Sequence, residues 1–365
     1  MISYDGWDRE YQENRDAYLE IFDQFMSQMN YENNEEWERN FAQRIGRKHC
    51  VSVASATDAL HFALLAHGIG PGDEVLVTNF SWISSSSCVD MVGATPVFCD
   101  IDLDTYQMSL DSVQRMYSDR VKAIVYVHLF GAMTDTIALQ AFCKDRNIVF
   151  IEDAAQALGS SLDGVHAGTI GDCSVFSFNS NKVIAGINGG GVVLTDYDEI
   201  AKRVKQIRRH GKDKTFDILG YNSRMYVLNA RIIDQRMKSI EANQSKRQDI
   251  ARQYNEAFKD LPIATQKVSN GLNHNYHKYV VRFVDKDTRK RVKDALQASI
   301  HYETPLSAND MYNNIEHRRD ACTASKTVAN TVLSLPIHPW LTQEEISNVI
   351  KTVKKEFIHE CVRYT

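Results

Sequence analysis

The chain has 365 residues, with 42 lysines and arginines against 47 aspartates and glutamates, and therefore a net charge of −5. This length predicts about two or three domains with large hydrophobic cores, and the near-average composition excludes a disordered, collagen-like or coiled-coil chain. The mild acidity excludes a broadly basic nucleic-acid-binding protein, so we expect no nucleic-acid partner.

The cysteine pattern predicts a reducing compartment. The cysteines are odd in number, widely spaced and never in a C-x-x-C pair, so we expect buried reduced thiols, no disulfide framework and no metal site. The N-terminus has no basic segment followed by an apolar stretch, and no run approaches the roughly 18 apolar residues of a membrane span. We therefore expect a cytoplasmic protein without membrane contact. The seven cysteines are Cys50, Cys88, Cys99, Cys143, Cys173, Cys322 and Cys361.

The first clear element in the chain is a helix that begins after Asn34. Trp37, Phe41 and Ile45 recur at four-residue spacing, and Gly46 is placed as a C-terminal cap. A series of short, continuously apolar segments follows, separated by helical or loop segments. Strands of this kind indicate an α/β fold in which a mainly parallel sheet lies between helices. The predicted strands span residues 50–54, 74–77, 96–98, 123–127, 148–151, 174–178 and 191–194.

The pattern changes in the last third of the chain. One long helical stretch is predicted over 228–258, a half-buried strand over 278–283, and amphipathic helices over 287–298 and 342–357. We place a domain boundary near residue 240. Residues 1–240 then form a large domain that carries the sheet, and residues 241–365 form a smaller α+β domain.

Polar residues follow several of the predicted strands, at the sheet edge where α/β proteins bind ligands. Ser55, Ala56 and Thr57 follow the first strand, Asp153 follows the fifth, and Lys182 follows the sixth, ahead of a glycine-rich loop. Each alone has an ordinary explanation as a cap, a turn residue or a solvated charge. Together they predict one crevice with an anion site, a buried carboxylate, a lysine and a flexible loop.

That combination suits pyridoxal 5′-phosphate. Its phosphate needs the free N–H groups of a helix N-terminus, its pyridine nitrogen needs a carboxylate, and its aldehyde needs a lysine amine for a Schiff base. Trp82 follows the second strand and is a candidate for stacking on the ring. Other cofactors fit less well, because the glycine-rich loop does not match G-x-G-x-x-G and the chain has no G-x-x-x-x-G-K-[ST] loop.

From about Asn34 to the C-terminus, the ordered motifs resemble the DegT–DnrJ–StrS family of sugar aminotransferases, which are fold type I enzymes dependent on pyridoxal phosphate. The matches are SATDAL at 55–60, GPGDEV at 70–75, GATPVF at 93–98, EDAAQA at 152–157, FSF at 176–178 followed by Lys182, GYNSRM at 220–225 and LP at 335–336.

The resemblance implies roles for residues around the cofactor ring. Lys182 forms the Schiff base, Asp153 partners the pyridine nitrogen, and Gln156 meets the ring face or its phenolic oxygen. Trp82 stacks on the ring. Catalysis is thus assigned to Lys182 and Asp153.

The resemblance also implies a phosphate site built from two subunits. Ala56, Thr57 and Ser177 hold the phosphate within one chain, and Asn222 reaches it from the neighbouring subunit. The active unit is then a homodimer with two shared sites. The alternative for Asn222 is an ordinary turn residue.

Two departures from the family pattern lie on the substrate side. Residues 187–190 read INGG where the family often has GEGG, and the segment 299–303 is shortened, with Glu303 in place of a common proline. His301 and Tyr302 either line the acceptor pocket or pack at the domain interface. Both departures leave the identity of the acceptor open.

The resemblance implies an aminotransferase that moves an amino group from an amino acid, with L-glutamate expected, to a nucleotide-linked keto-deoxysugar in a ping-pong cycle through Lys182. The product would serve a surface polysaccharide or a glycosylated metabolite. Three alternatives stay open: a smaller keto-phosphate acceptor, a pyridoxamine-dependent sugar dehydratase, in which histidine replaces the lysine, and a non-catalytic protein for regulation or assembly.

Overall fold

The computed structural model describes residues 5–28 and 34–361, with side chains described as far as residue 357. The α-helices are α1 Trp7–Gln28, α2 Glu35–Ile45, α3 Ala56–Ala66, α4 Ser84–Met91, α5 Leu110–Met116, α6 Ile137–Asp145, α7 Asp198–Ile207, α8 Val227–Met237, α9 Ile240–Phe258, α10 Lys286–Leu296, α11 Thr323–Thr331 and α12 Gln343–Cys361. No helix within the described ranges is long and apolar enough to cross a bilayer.

The strands form one large sheet and two small ones. They are β1 His49–Val53, β2 Glu74–Thr78, β3 Thr95–Cys99, β4 Val121–Val127, β5 Val149–Asp153, β6 Ser161–Leu162, β7 Val165–His166, β8 Cys173–Ser177, β9 Gly191–Thr195, β10 Ala264–Thr265, β11 Leu272–Asn273, β12 Tyr279–Arg282, β13 Arg318–Arg319 and β14 Val332–Leu335. The large sheet has the order β1-β9-β8-β5-β4-β2-β3-β13. In this described sheet β9 alone runs in the direction opposite to the other strands, so the predicted α/β class with a mainly parallel sheet is confirmed.

Apolar side chains on both faces of the large sheet explain its continuous hydrophobic strands. Val75 and Val77 lie in the core under α3, α4 and α7, whereas Leu76 between them lies in the core under α2, α6 and α8. This alternation is the two-residue repeat of a strand that is covered on both sides. The cysteines whose side chains are described are buried and free, and Cys361 lies outside that range.

The C-terminal part of the chain has its own core. The antiparallel sheet β10-β12-β14 packs against α9, α10 and α12. A segment of this part, however, returns to the large sheet: Leu306 and Tyr312 lie in the core under α3 and α4, and β13 pairs with β3. The division near residue 240 stays a prediction.

The prediction of one continuous helix over 228–258 is wrong, because the helix is interrupted at Lys238 and Ser239. The structure has two helices there, because i→i−3 hydrogen bonds at Lys238 and Ser239 end α8 before α9 begins.

A buried ion pair joins three elements beside the candidate site. Glu38 on α2 accepts hydrogen bonds from the Ser52 backbone N–H (2.8 Å) and hydroxyl (2.6 Å), and it pairs with Arg208 at the end of α7. Arg208 also donates to the Ser52 carbonyl at 2.6 Å. The pair therefore ties α2 and α7 to β1, the strand that leads into α3.

We predict that Arg208→Met lowers the free energy of unfolding by about 3–5 kcal/mol, because it leaves the buried Glu38 carboxylate without its cation. Urea unfolding at a fixed protein concentration measures the loss. Arg209→Met, at the exposed next position, is the matched control. If Arg208→Met changed the free energy of unfolding by less than about 0.5 kcal/mol, the ion pair would not contribute to the stability of the fold.

Candidate active site

A cavity of about 400 Å³ opens at the carboxyl ends of β1, β2, β5 and β8. Residues from the C-terminal part of the chain also line this cavity, among them His277, Lys278 and Tyr302. Seven of the predicted site residues line this one cavity, although they come from four separate strand ends. They are Ala56, Thr57, Trp82, Asp153, Gln156, Ser177 and Lys182.

The N-terminus of α3 forms one end of the cavity. Ser55 caps the helix, since its side chain accepts a hydrogen bond from the Asp58 N–H at 3.1 Å. The hydroxyls of Thr57 and Ser84 lie 2.7 Å apart at the same end. First-turn N–H groups have no partner within a helix, and with neighbouring hydroxyls they suit a phosphate.

Asp153 ends β5 and is 4% exposed. Its carboxylate accepts hydrogen bonds from the Ala155 N–H and the Ser85 hydroxyl, each at 3.1 Å. Burial raises the pKa of Asp153, although the Ala155 N–H and the charge of Lys182 act in the opposite direction. A cation bound beside this carboxylate, such as a protonated ring nitrogen, offsets the cost of burying its charge.

Lys182 lies in the loop between β8 and β9. Its backbone N–H donates to the Asn179 carbonyl at 3.0 Å, which closes a turn directly after β8. Burial lowers the pKa of the Lys182 ammonium to about 8, and the nearby Asp153 carboxylate partly opposes this shift. A larger neutral fraction makes the amine a better nucleophile near neutral pH.

The glycine-rich loop packs tightly against the start of α3. A Cβ added to Gly191 would lie 2.5 Å from the carbonyl carbon and oxygen of Ser55. Asn229 on α8 fixes the loop from the other side, because it donates to the Gly189 carbonyl at 2.6 Å and accepts from the Ile187 N–H at 2.7 Å. Asn229 is not among the predicted site residues, since no motif or spacing links it to the loop.

Aromatic and amide groups form the side of the cavity between the two parts of the chain. Gln156 donates to the Tyr302 hydroxyl at 3.2 Å and accepts from the Phe130 N–H at 2.8 Å. The ring of exposed Trp82 lies 6.1 Å from that of Tyr302. Tyr302 therefore lines the cavity and also joins the two parts, whereas its contact with the acceptor stays a prediction.

Asn222 is the one predicted site residue that the structure does not bring to the cavity of its own chain. It is exposed and forms a backbone bridge with Arg209. Phe216, Leu219 and Tyr226 in the same stretch are also exposed. A role for Asn222 in the site of a neighbouring subunit stays a prediction.

Other residues that line the cavity were not predicted, among them Ser85, His277 and Lys278. Ser85 lies in the serine run that follows Trp82, and this run of small hydroxyl residues at a strand end was a usable signal. His277 and Lys278 directly precede β12. A lysine and a histidine at the start of an otherwise apolar strand are a weaker signal, because the strand itself belongs to another sheet.

The residues present fit pyridoxal phosphate better than a metal ion. The start of α3 suits the phosphate, the buried Asp153 suits the ring nitrogen, and Lys182 suits the aldehyde. Within the described residues no group of three or more histidine, cysteine or carboxylate side chains is placed to hold a metal ion.

The sheet and the cavity together define a fold type I enzyme, and comparison with known proteins identifies its family. The chain belongs to the DegT/DnrJ/EryC1/StrS aminotransferase family, whose sequence model matches residues 9–354.

Relatives and solved structures resemble the chain over most of its length. The UDP-N-acetyl-3-dehydro-alpha-D-glucosamine 3-aminotransferase of Acidithiobacillus ferrooxidans is 34% identical, over 85% of each chain. The pleiotropic regulatory protein of Geobacillus stearothermophilus is 31% identical, over 86% of each chain. The structure of S. venezuelae DesV in complex with a ketimine intermediate superposes with a TM-score of 0.92 at 28% identity, and the match covers 97% of this chain and 98% of DesV.

These findings confirm four predictions: the family, the fold type I class, an aminotransferase as the enzyme type, and pyridoxal phosphate as the cofactor. The roles of the individual site residues, the homodimer and the cytoplasmic location stay predictions.

We predict that Ser85→Ala raises the pKa of Asp153 further, because the carboxylate loses a hydrogen bond that favours its charged form. Carboxyl ¹³C NMR of aspartate-labelled, cofactor-free protein measures the titration. Ser87→Ala on the same helix is the control, and we expect it to leave the pKa of Asp153 unchanged. An Asp153 signal that titrates alike in both variants would show that Ser85 does not stabilise the carboxylate.

Proposed function

We propose that this protein moves the amino group of L-glutamate to the keto group of a nucleotide-linked keto-deoxysugar, in a ping-pong cycle that supplies a surface polysaccharide or a glycosylated metabolite. The observation that carries the proposal is the single cavity in which Lys182 and Asp153 lie together, with the α3 N-terminus at one end. The name of the Acidithiobacillus relative, which acts on a UDP-linked keto sugar, supports the acceptor class.

When bound, pyridoxal phosphate supplies an aldehyde that takes up amines and a ring that accepts electrons. In the proposal, Ala56 and Thr57 bind its phosphate through the N-terminus of α3, and Ser177 adds a hydroxyl. Asp153 keeps a proton on the ring nitrogen, and this charge stabilises the negative charge that develops on the donor's α-carbon.

Lys182 has two tasks in the proposal. Its amine would hold the cofactor's aldehyde while no amino donor is bound, and it would be free once a donor has taken that place. The freed amine then removes the proton from the donor's α-carbon as a general base. A pKa lowered to about 8 suits this second task, because both the neutral and the protonated forms are available near neutral pH.

We further propose that two chains share each site. Asn222 lies outside its own cavity, on an exposed stretch with apolar side chains at Phe216, Leu219 and Tyr226. Such side chains favour burial against another protein surface. In a homodimer this stretch would carry Asn222 to the phosphate of the partner's site.

A second candidate is ligand binding without turnover, which the name of the Geobacillus relative favours. The cavity is less consistent with it, because binding alone does not need a lysine amine of lowered pKa near the buried Asp153. A sugar dehydratase of this fold is disfavoured by Lys182, since that branch is expected to have histidine there.

We predict that Lys182→Ala abolishes amino transfer, because both tasks of the amine are lost, while folding and much of the cofactor binding survive through the phosphate and ring contacts. The test is whether L-glutamate discharges the visible colour of the purified holoprotein. The control is exposed Lys202→Ala. Transfer at the wild-type rate by Lys182→Ala would overturn the proposed function, and colour that never responds to any amino acid would favour the binding protein.

We also predict that Lys182→Ala and Asn222→Ala chains complement each other. In a mixed dimer one site takes unmutated Lys182 and Asn222 from different chains, so that species regains up to half of the wild-type activity. The lost phosphate hydrogen bond, about 1.5–3 kcal/mol, impairs the Asn222→Ala homodimer by itself. Activity is measured after verified subunit exchange, and equal mixing of Lys182→Ala with Lys202→Ala provides the reference. Mixed dimers without recovered activity would place Asn222 outside the partner's site.

A further inference from the structure

A second lysine lies in the wall of the cavity. Lys278 directly precedes β12, is 8% exposed, and faces the cavity from the C-terminal part of the chain. Among the described residues that line the cavity, Asp153 is the only carboxylate, whereas Lys182 and Lys278 are both potential cations. The described lining of the cavity therefore has two amines and one carboxylate, and Asp153 is the carboxylate assigned to the ring nitrogen.

The electrostatic surroundings of Lys278 penalise its charge. Burial lowers its pKa to about 7, and the positive charges of Arg247 and Lys182 add to the shift, whereas Asp5 opposes it. Burial also lowers the pKa of His301 to about 3, so this neighbour is neutral at physiological pH and contributes no further cation. An anion that enters the cavity beside Lys278 would favour its ammonium form.

The backbone before Lys278 is fixed to the cofactor side of the cavity. The Asn275 side chain donates to the carbonyls of Gln156 (2.9 Å) and Leu158 (3.0 Å), and it accepts from the His277 N–H at 2.9 Å. Arg247 donates to the Tyr276 carbonyl at 3.1 Å. These bonds hold the backbone at Lys278 in a fixed position relative to the turn that carries Asp153 and Gln156. A substrate group that binds to Lys278 is therefore held at a defined position in the cavity.

We propose that Lys278 binds a carboxylate of the substrate on the part of the cavity wall that comes from the C-terminal part of the chain. The proposal rests on the proposed function, because it requires that the substrate enters this cavity. The other cationic features have tasks already: the α3 N-terminus takes the phosphate, and Lys182 takes the aldehyde. The carboxylate belongs either to the amino donor or to an acidic sugar acceptor, and the two sources can be separated by experiment.

The test compares the holoenzymes of wild type, Lys278→Met, Lys278→Gln and Lys278→Arg, with exposed Lys267→Met as the control. Calorimetry measures the affinity for three probes. These are 2-oxoglutarate for the donor side, UDP-glucuronate for an acidic acceptor, and UDP-glucose as its counterpart without the carboxylate. Circular dichroism and the cofactor colour verify that each variant is folded and loaded.

We expect the uncharged variants to bind one of the two carboxylate probes at least about tenfold more weakly, as loss of a charge-assisted hydrogen bond predicts. Lys278→Arg should retain most of the affinity, and UDP-glucose should bind all variants alike. Weaker binding of 2-oxoglutarate assigns Lys278 to the donor, and weaker binding of UDP-glucuronate alone assigns it to the acceptor.

Three results would overturn the role of Lys278. They are a wild type that binds neither carboxylate probe, affinities within twofold of wild type in both uncharged variants, and equal losses for UDP-glucose and UDP-glucuronate. Amino transfer from L-glutamate by the wild type is scored separately. If the wild type transfers the amino group but the Lys278 variants bind the probes as the wild type does, only the proposed role of Lys278 is contradicted. Absence of transfer in the wild type contradicts the proposed function.

Discussion

The close approach of Gly191 to Ser55 is the contact on which the site depends. Since β9 runs antiparallel between β1 and β8, its first residue pairs with Val53 at the end of β1, and Ser55, two residues further on, bridges Gly190. A side chain at Gly191 would collide with the Ser55 carbonyl at 2.5 Å. Glycine at this position lets the loop that carries Lys182 close on the start of α3.

Much of this arrangement could be predicted from the sequence because its signals are local. Continuous apolar runs marked the strands, since a sheet covered on both faces needs apolar residues in succession. Residues at strand ends such as Thr57, Asp153 and Lys182 follow from those strands, because the carboxyl ends of parallel strands share one edge. The structure gathers these predicted residues in a single cavity, apart from Asn222.

The parts that could not be predicted depend on contacts between distant segments. β13 has two residues and pairs with β3 only because neighbouring groups hold it there, among them Asp320, which accepts from the Ser112 hydroxyl at 2.6 Å. α1 is likewise anchored from afar, since Trp7 donates to the Ser180 carbonyl at 2.7 Å beside the lysine loop. Neither contact leaves a pattern in the local sequence. The hydrogen bonds of Asn229 to the glycine-rich loop leave no such pattern either.

The residues that line the cavity come from two separate stretches of the chain, and this separation is relevant to substrate specificity. Ser85 and Lys182 each interact with Asp153, and all three belong to the part of the chain that carries the large sheet, whereas Lys278 and His301 reach the cavity from the C-terminal part. A change of side chain at 278 or 301 changes the lining of the cavity without breaking a hydrogen bond to Asp153. Tyr302 is different, because Gln156 donates to its hydroxyl. If Gln156 contacts the cofactor as proposed, a substitution at Tyr302 is expected to affect the cofactor side of the cavity more than one at position 278 or 301.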